Sequence, residues 1–374
     1  MFFAVPAGTR RPSLSRRLAL ALIGCFAGLV LAESLARVLA ALRSGNVAAY
    51  WQSLRDGAPP RRLDGPAALG DLVRASDDPQ IVYELIPGLV AEFQGVRCRI
   101  NRQGGRGPDW PAPARTNALR IVGLGDSVTF GWGVDEDDTF LAVLARELAA
   151  ELRRPVEVLN TGVPGYNTAM EVAAFERRAL AWRPDVVLVD WVGNDADLPN
   201  FIAQQTDALD LGRCFLYDLA RRVAGRHSRW ADAPLQGAPW AGDRFESDPD
   251  RVPPAYRDMV GEPGVVRALE RLARLAHERG FQVALTTHVD VPVFVQRTCD
   301  RLGIPCVPSG PRLRDWLTAR GLAARDYLAS DLVLSRDDPH PSRIGHALHA
   351  GTIRAFLVAS GWCRVAEGVR PAER

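Results

Sequence analysis

Short apolar runs alternate with amphipathic segments from residue 119 towards the end of the chain, and this alternation limits the possible folds more than any other feature. A short apolar run is typical of a buried strand, and apolar residues at helical spacing are typical of a helix that covers a sheet. The pattern predicts strands at 119–124, 156–159, 185–192, 282–287 and 304–307, and helices at 139–152, 168–182, 265–279 and 344–359. Because strands that alternate with helices pair in parallel, we expect an α/β domain with a five-stranded parallel sheet.

The amino terminus has the features of a membrane insertion signal. Arginines precede an apolar stretch at 18–42, in which the only charged residues are Glu33 and Arg37, four positions apart and able to pair on one helical face. Because positive residues stay cytoplasmic, we expect a cytoplasmic segment at 1–17, a single-pass transmembrane anchor in the bacterial inner membrane, and a periplasmic or extracellular remainder. The alternative is a signal peptide cleaved near Ala32, which would give a secreted protein.

The rest of the chain divides by composition. Residues 43–80, rich in Pro, Gly, Arg and Asp, are predicted to be a linker. An amino-terminal extension at 81–117 contains alternating apolar residues on either side of Gln94-Gly95, which predicts a short hairpin. The main domain is expected at 118–362, followed by a tail at 363–374. Its long insertion at 198–262, with a helix expected near 216–223, is either a lid or substrate wall or a mobile surface loop.

Charge and composition exclude several classes of function. The 46 basic and 44 acidic residues nearly balance, so the protein has no strong positive electrostatic field that would attract nucleic acid. The sequence contains no lysine, which excludes a Walker-A phosphate loop, a pyridoxal Schiff base and a Ser-x-x-Lys hydrolase. The glycines around residue 125 lack the third glycine of a dinucleotide fingerprint, because Val128 stands there. We therefore expect no cofactor.

The six cysteines include no Cys-x-x-Cys pair, which argues against a zinc ribbon or a thioredoxin-type site. Cys299 and Cys306 are close enough in sequence to form a disulfide in an oxidising compartment. The alternative is two unpaired thiols in the core.

Polar residues follow several of the predicted strands, at the edge where catalytic groups gather in a parallel sheet. A further polar group precedes the last helix. The motifs are Gly125-Asp126-Ser127, the loop 160–167, Gly193-Asn194-Asp195 and Asp337-Asp338-Pro339-His340.

A serine hydroxyl needs an imidazole to take its proton and a carboxylate to orient that imidazole. Ser127 as nucleophile, His340 as base and Asp337 as the orienting carboxylate supply these groups. Asp338 is the rival of Asp337, but we expect it to cap the approach to the last helix.

Acyl transfer also needs donors for the oxyanion of the tetrahedral intermediate. The backbone N–H groups of Ser127 and Gly165 and the side-chain amide of Asn194 would supply three. Gly162 is an alternative to Gly165, and counting from Asn160 favours Gly165.

Histidines near the carboxyl terminus also allow a metal site, since His346 and His349 lie three positions apart on the last predicted helix. We expect both on a solvated helix face and expect no metal, because the catalytic pattern already accounts for His340. His288, at the end of a strand, either lines the cleft or is a core histidine.

Together, these four motifs resemble the sequence blocks of the SGNH (GDSL-type) hydrolase superfamily, over roughly residue 119 to the last helix. The resemblance implies a flavodoxin-like three-layer α/β/α sandwich. It also implies that Ser127, Asp337 and His340 are catalytic, and that Gly165 and Asn194 belong to the oxyanion hole. The segment before the main domain is similar to that of anchored members associated with bacterial cell-surface polysaccharides.

The expected function is hydrolysis of carboxylic esters, O-acetyl esters above all, through an acyl-enzyme. The expected substrates are acylated cell-surface glycans or lipids. The alternatives are an O-acyltransferase that uses the same triad on a polysaccharide, and a non-catalytic glycan-binding protein. The sequence does not indicate the oligomeric state.

Overall fold

The computed structural model describes residues 13–43, 62–67, 69–76, 78–111, 117–199, 216, 245–252, 254–288 and 290–363. The chain divides into two compact units. One consists of Met1–Pro59 and Thr206–Ser228, and the other of Pro60–Gln205 and Arg229–Arg374. The first contains the amino-terminal helix, and the second contains the predicted sheet.

The amino-terminal helix, α1, spans Leu14–Arg43. Its segment Ser15–Val38 is 24 residues long with a mean hydropathy of 2.2, so by length and composition it could cross a membrane or serve as a signal sequence. Glu33 and Arg37 form the predicted ion pair, with 2.8 Å between a carboxylate oxygen and a guanidinium nitrogen. This pair lets two charged residues share one face of the helix within its otherwise uncharged stretch at 18–42.

The second unit is built on a parallel sheet of five strands, as predicted. In spatial order they are β12 (Cys306–Pro308), β11 (Gln282–Thr287), β8 (Val186–Trp191), β6 (Leu119–Gly125) and β7 (Val156–Asn160). Taken along the chain, the first of these strands lies between the second and the third, which is the flavodoxin-like order. The switch point of that order lies between β6 and β8, next to the end of β6.

Helices cover both faces of this sheet, and the strands explain why. Successive side chains of a strand point to opposite faces. On β6, Ile121 packs in the cluster formed with α4 (Phe140–Leu152) and α9 (Arg343–Ala359), whereas Val122 packs in the cluster formed with α6 (Gly261–Arg279). The three-layer α/β/α sandwich is therefore confirmed.

Several predicted boundaries differ from the structure. Residues 168–182 do not form one helix, because α5 (Thr168–Ala174) passes into a π-helical turn at Phe175–Ala179 and a tighter turn at Leu180–Trp182. Two helices had no prediction, α7 (Val293–Leu302) and α8 (Gly310–Thr318). Both flank the short strand β12 and lengthen its connections.

The extension before the sheet is packed and has regular structure. The predicted hairpin is present as β4 (Val90–Phe93) and β5 (Val96–Arg99), which pair antiparallel. β1 (Arg62–Ala67) pairs with β4 in parallel. These strands lie in a sheet of their own.

Part of the predicted linker at 43–80 is also structured, and that prediction was wrong for the described residues from 62 onward. Besides β1, this part contains α2 (Leu69–Leu72) and β2 (Val73–Ala75), which pairs antiparallel with β3 (Tyr83–Leu85). The composition is typical of a linker, but a few apolar residues within it, such as Leu72, are fully buried.

The insertion at 198–262 begins with β9 (Leu198–Pro199), which pairs antiparallel with β10 (Phe245–Glu246) further along the same insertion. The helix predicted near 216–223 lies outside the described residues, except for residue 216. Cys299 and Cys306 are both free thiols, the second of the two alternatives left open by the sequence.

Candidate active site

Ser127 stands at the carboxyl edge of the sheet, directly after β6. It opens a single-turn helix, α3 (Ser127–Phe130), whose first turn is capped by the Asp126 carboxylate, 2.9 Å from the N–H of Val128. Gly125 permits this tight turn, because a Cβ there would lie 2.1 Å from Oγ1 of Thr129. The local sequence therefore presents the serine at a sharp strand-to-helix turn.

His340 lies against Ser127, with its Nε2 2.8 Å from the serine Oγ. It belongs to β14 (Asp338–Pro341), which pairs antiparallel with β13 (Val333–Ser335) in a two-stranded ribbon outside the main sheet. Nδ1 of His340 is 2.6 Å from Oδ1 of Asp338. With Nδ1 donating to the carboxylate, Nε2 of a neutral imidazole accepts the proton of the Ser127 hydroxyl.

The carboxylate beside His340 is Asp338 and not Asp337, so the choice made from the sequence is corrected. Residues two apart in a strand point to the same side, which places Asp338 beside His340. Asp337 lies in the turn between β13 and β14 and is exposed. Asp338 does not cap α9 either, because the Ser342 hydroxyl accepts from the first N–H groups of that helix.

Trp132 completes the surroundings of the His340–Asp338 pair. Its indole stacks on the imidazole, with 4.9 Å between ring centroids and 13° between planes. Its Nε1–H donates to Oδ2 of Asp338 at 3.2 Å. Partial burial would raise the pKa of Asp338, but the hydrogen bonds from His340 and Trp132 lower it below its ordinary value, so the carboxylate is held in its charged form.

Arg106, from the extension, contacts the other end of the turn that presents Ser127, the candidate nucleophile. Its buried guanidinium donates to the carbonyl oxygens of Phe130 at 2.7 Å and Val134 at 2.6 Å, and to that of Gly131. Phe130 is the last residue of α3, so its carbonyl is one that the helix itself leaves without a partner, and the other two carbonyls lie in the segment that follows. This contact could not be predicted from the sequence, since an arginine in a glycine-rich segment carries no motif.

The loop after β7 holds the two glycines considered as oxyanion donors. The Gly162 N–H already donates to Oδ1 of Asn160 at 3.0 Å. A Cβ at Gly162 would lie 2.3 Å from the backbone nitrogen of Phe130, so this glycine is needed for close packing against α3. Gly165 occupies a turn with φ of +84°. The arrangement favours Gly165 over Gly162 as the available donor.

Asn194 lies on the neighbouring loop, after β8. Its Nδ2 is 3.5 Å from the carbonyl oxygen of Tyr166, and its amide hydrogen-bonds the Asp126 carboxyl. The side chain is half-buried, as expected for a group that faces a cleft. Ser127, Gly165 and Asn194 thus come from three loops that meet at one edge of the sheet.

The sequence matches the GDSL-like Lipase/Acylhydrolase family over residues 124–348, more than half of the chain. The chain belongs to this family. As a GDSL-like acylhydrolase it is an ester-hydrolysing enzyme, and the predicted superfamily is confirmed. A comparison with curated proteins finds no match.

Several solved structures are similar to this GDSL-like enzyme at low sequence identity. A lipolytic protein of the G-D-S-L family from Desulfitobacterium hafniense DCB-2 is 14% identical with a TM-score of 0.38, covering 64% of this chain and 99% of that one. A lipase/acylhydrolase from Enterococcus faecalis is 18% identical with a TM-score of 0.37, covering 64% and 96%. The acetylxylan esterase Axe2 from Geobacillus stearothermophilus is 17% identical with a TM-score of 0.37, covering 66% and 96%.

Below the nucleophile turn of the GDSL-like domain, Asp190 joins three elements. Its Oδ2 is 3.3 Å from Oγ1 of Thr129 on α3, and its Oδ1 is 3.0 Å from Oγ1 of Thr286 and from Nε2 of His349. Nδ1 of His349 is 2.6 Å from Oγ of Ser309. This network ties α3 to β8, β11 and α9.

Asp190, His288 and His349 also have the ligand types of a zinc site, with candidate ligand atoms within 4.8 Å of one another. Both ring nitrogens of His349 are already in hydrogen bonds, and the His288 and His349 rings are tilted by 32° with centroids 3.8 Å apart. Hydrogen bonds therefore account for Asp190 and His349 without a metal.

The prediction of a solvated face for His346 and His349 was wrong, because both are fully buried. His346 accepts from the N–H of Phe140 at 3.2 Å through its Nδ1. Burial lowers the pKa of His349 to about 3. The prediction of a solvated face rested only on the polarity of histidine. A neutral imidazole can be buried, so polarity alone does not place a histidine at the surface.

Replacing His288 with asparagine should change how the stability of the protein depends on pH. Burial, followed by the neighbouring His349, lowers the pKa of His288 to about 3, whereas the unfolded chain binds a proton at this imidazole below pH ~6.5. The stability contributed by this neutral imidazole is therefore present above pH ~6.5 and lost as the pH falls towards 3.

We expect the free energy of unfolding of the wild type, minus that of His288→Asn, to fall by about 1 kcal/mol per pH unit between pH 6 and pH 4. Urea titrations of both proteins at several pH values measure this difference. The cavity left by the substitution adds an offset that does not change with pH. A difference that is constant across this range would contradict the prediction.

Proposed function

We propose that this enzyme is a serine esterase that works through an acyl-enzyme, with Ser127 as nucleophile, His340 as general base and Asp338 as the residue that orients His340. The observation that carries the proposal is the chain of two contacts, 2.8 Å from Ser127 Oγ to His340 Nε2 and 2.6 Å from His340 Nδ1 to Asp338 Oδ1. A hydroxyl, an imidazole and a carboxylate in this order form an activated nucleophile.

In the proposed mechanism, Ser127 Oγ attacks the ester carbonyl carbon as His340 Nε2 takes the hydroxyl proton. The tetrahedral oxyanion accepts hydrogen bonds from the N–H groups of Ser127 and Gly165 and from the Asn194 amide. His340 then gives its proton to the leaving alkoxide, which departs as an alcohol. A water molecule attacks the acyl-enzyme with His340 again as base, and the collapse releases a carboxylic acid and free Ser127.

The proposed substrates are O-acyl esters, O-acetyl above all, on cell-surface glycans or lipids. Support comes from the apolar helix α1 and the arginines that precede it, which favour a single-pass protein of the bacterial inner membrane with its catalytic domain in the periplasm or outside the cell. Cleavage of the helix as a signal peptide would instead release the enzyme. In both cases the domain meets esters outside the cytoplasm.

A direct test uses the full-length protein in detergent with a fluorophosphonate probe and with 4-nitrophenyl acetate. We expect one covalent adduct, located by peptide mass spectrometry on Ser127, and release of acetate in step with nitrophenol. An adduct on another residue, or no labelling of the folded protein, would contradict the proposal.

The same reaction repeated with an acetyl-accepting oligosaccharide separates a hydrolase from an acyltransferase. A hydrolase releases acetate at an unchanged rate and leaves the sugar unmodified. Accumulation of acetylated sugar at the expense of acetate would instead identify transfer through the same triad.

A further inference from the structure

The extension before the family match shares a hydrophobic core with the catalytic loops. The match begins at residue 124, yet buried residues of the extension pack in one cluster with Phe130 of the nucleophile turn and with Val163 and Tyr166 of the loop after β7. The extension members of this cluster include Leu72, Ile81, Tyr83, Leu85, Leu89, Phe93 and Ile100. A segment outside the family pattern therefore forms the wall behind two candidate catalytic loops.

Tyr83 forms a polar contact between this wall and the loop at 160–167 after β7, here called the glycine loop. Its side chain is 1% exposed, and its hydroxyl donates to the carbonyl oxygen of Pro164 at 2.9 Å. Its ring packs edge-to-face on Tyr166, with 5.2 Å between centroids, and the Tyr166 hydroxyl donates back to the Tyr83 carbonyl. The loop and β3 are thus joined in both directions.

The turn formed by Val163, Pro164, Gly165 and Tyr166 explains why the Pro164 carbonyl matters. The Tyr166 N–H donates to the Val163 carbonyl at 3.0 Å, and Gly165 has φ of +84°. Proline at the second position and a glycine with positive φ at the third define a type II turn. Type I and type II turns differ chiefly by a flip of their central peptide.

That central peptide contains the carbonyl of Pro164 and the N–H of Gly165. The peptide unit is planar, so the two groups point in opposite directions and turn together. A donor that holds the Pro164 oxygen on the side of Tyr83 therefore holds the Gly165 N–H on the other side.

We propose that Tyr83 is a positioning residue for the oxyanion hole, because its hydroxyl keeps the Pro164–Gly165 peptide in the type II orientation that aims the Gly165 N–H at the reacting ester. This inference rests on the proposed function, in which Gly165 is an oxyanion donor. The carbonyl of Tyr166, which accepts from Asn194 Nδ2 at 3.5 Å, belongs to the same turn. Tyr83 therefore supports the turn on which two of the three donors depend.

Tyr83→Phe, which removes one hydroxyl and keeps the ring, tests this role in the full-length protein. Misdirection of one donor should cost part of what its loss costs, so we expect kcat to fall between about 10-fold and 100-fold with KM within about twofold. Binding of a tetrahedral boronate inhibitor should weaken by a similar factor, because only the tetrahedral state uses the oxyanion donors. If the Tyr83 hydroxyl had only a structural role, Tyr83→Phe would lower the free energy of unfolding but leave kcat and inhibitor binding unchanged.

Tyr256→Phe is the matched control, since Tyr256 is a partly buried tyrosine packed against the same cluster. It should keep wild-type kcat. An active wild type with an equally active Tyr83→Phe overturns the role of Tyr83 and leaves the proposed function intact. A folded wild type without esterase activity overturns both.

A second measurement does not depend on Tyr83→Phe folding. Incorporation of 3,5-difluorotyrosine at position 83 keeps the shape of the ring and makes the hydroxyl a stronger donor. Because the accepting carbonyl is conjugated with the Gly165 nitrogen, the ¹⁵N resonance of Gly165 in glycine-labelled protein should shift. A Gly165 resonance that does not move overturns the proposal.

Discussion

Asp338→Asn is expected to lower kcat for ester hydrolysis by about 10⁴-fold, whereas Asp337→Asn should leave it within about twofold. Asp338 uses both carboxylate oxygens as acceptors, one for His340 Nδ1 and one for Trp132 Nε1–H, whereas asparagine has only one acceptor oxygen. With that oxygen on Trp132, the NH2 group of the asparagine faces Nδ1 and favours the tautomer whose Nε2 carries the proton. Nε2 then cannot take the proton of Ser127. Asp337 is exposed in the turn before β14, so the same chemical change there does not reach the imidazole.

The two neighbouring aspartates form a matched pair of variants with the same loss of charge. Steady-state kinetics on an acetyl ester, together with the rate of fluorophosphonate labelling, compares them directly, and circular dichroism verifies that both fold. Equal losses in the two variants, or a greater loss in Asp337→Asn, would show that the carboxylate beside His340 in the structure is not the one that supports catalysis.

Ser127→Ala and His340→Ala are each expected to lower kcat on the order of 10⁵-fold to 10⁶-fold, and the double variant is expected to be no worse than either. The two side chains act as one unit, since the hydroxyl is useful only when Nε2 accepts its proton across 2.8 Å. Once one partner is gone, the other has nothing to contribute. The remaining activity would come from the oxyanion donors and from binding of the ester.

Single-turnover measurements at high enzyme concentration can quantify activities this low. Two substitutions at exposed positions serve as matched controls: Ser360→Ala, directly after α9, and His277→Ala, on α6. Both variants should retain wild-type kcat. Losses that multiply in the double variant would mean that Ser127 and His340 act in separate steps. A His340→Ala protein with high activity would exclude His340 as the base.

The central sheet could be predicted from the sequence because its signals are local. β6, β8 and β11 are mostly apolar and are buried over most of their length, since both faces of a parallel sheet are covered by helices. β12 is only three residues long, and the helices on either side of it are short, amphipathic and bounded by proline and glycine. Such short elements are defined by their packing partners, which a sequence pattern does not contain.

The extension was harder to predict for the same reason. This part of the chain buries a few apolar side chains, such as Leu72 and Tyr83, between stretches rich in proline, glycine and charge. Burial of these side chains depends on Phe130 and Tyr166, which are distant in sequence. Composition alone therefore predicted a linker where part of the chain is packed.

Within the candidate site, the sequence motifs predicted Ser127, His340 and the two candidate oxyanion loops. They did not decide which of the two adjacent aspartates lies beside His340. Family spacing favoured Asp337, and the strand geometry of β14 favours Asp338, because side chains two apart share a face. Trp132 was missed altogether. Its position five residues after Ser127 could have suggested proximity, but its stacking on His340 depends on a ribbon from the other end of the chain.

The hydrophobic cluster shared by the extension and the glycine loop has a consequence for natural variation in this protein. A mutation in β3 or in the hairpin changes the support of the Pro164–Gly165 peptide without altering any group that touches the ester. Natural selection for catalytic rate should therefore also act on residues that belong to no catalytic motif. Position 83 and the Val163–Tyr166 turn should covary among relatives that retain this extension, and drift independently in those that have lost it.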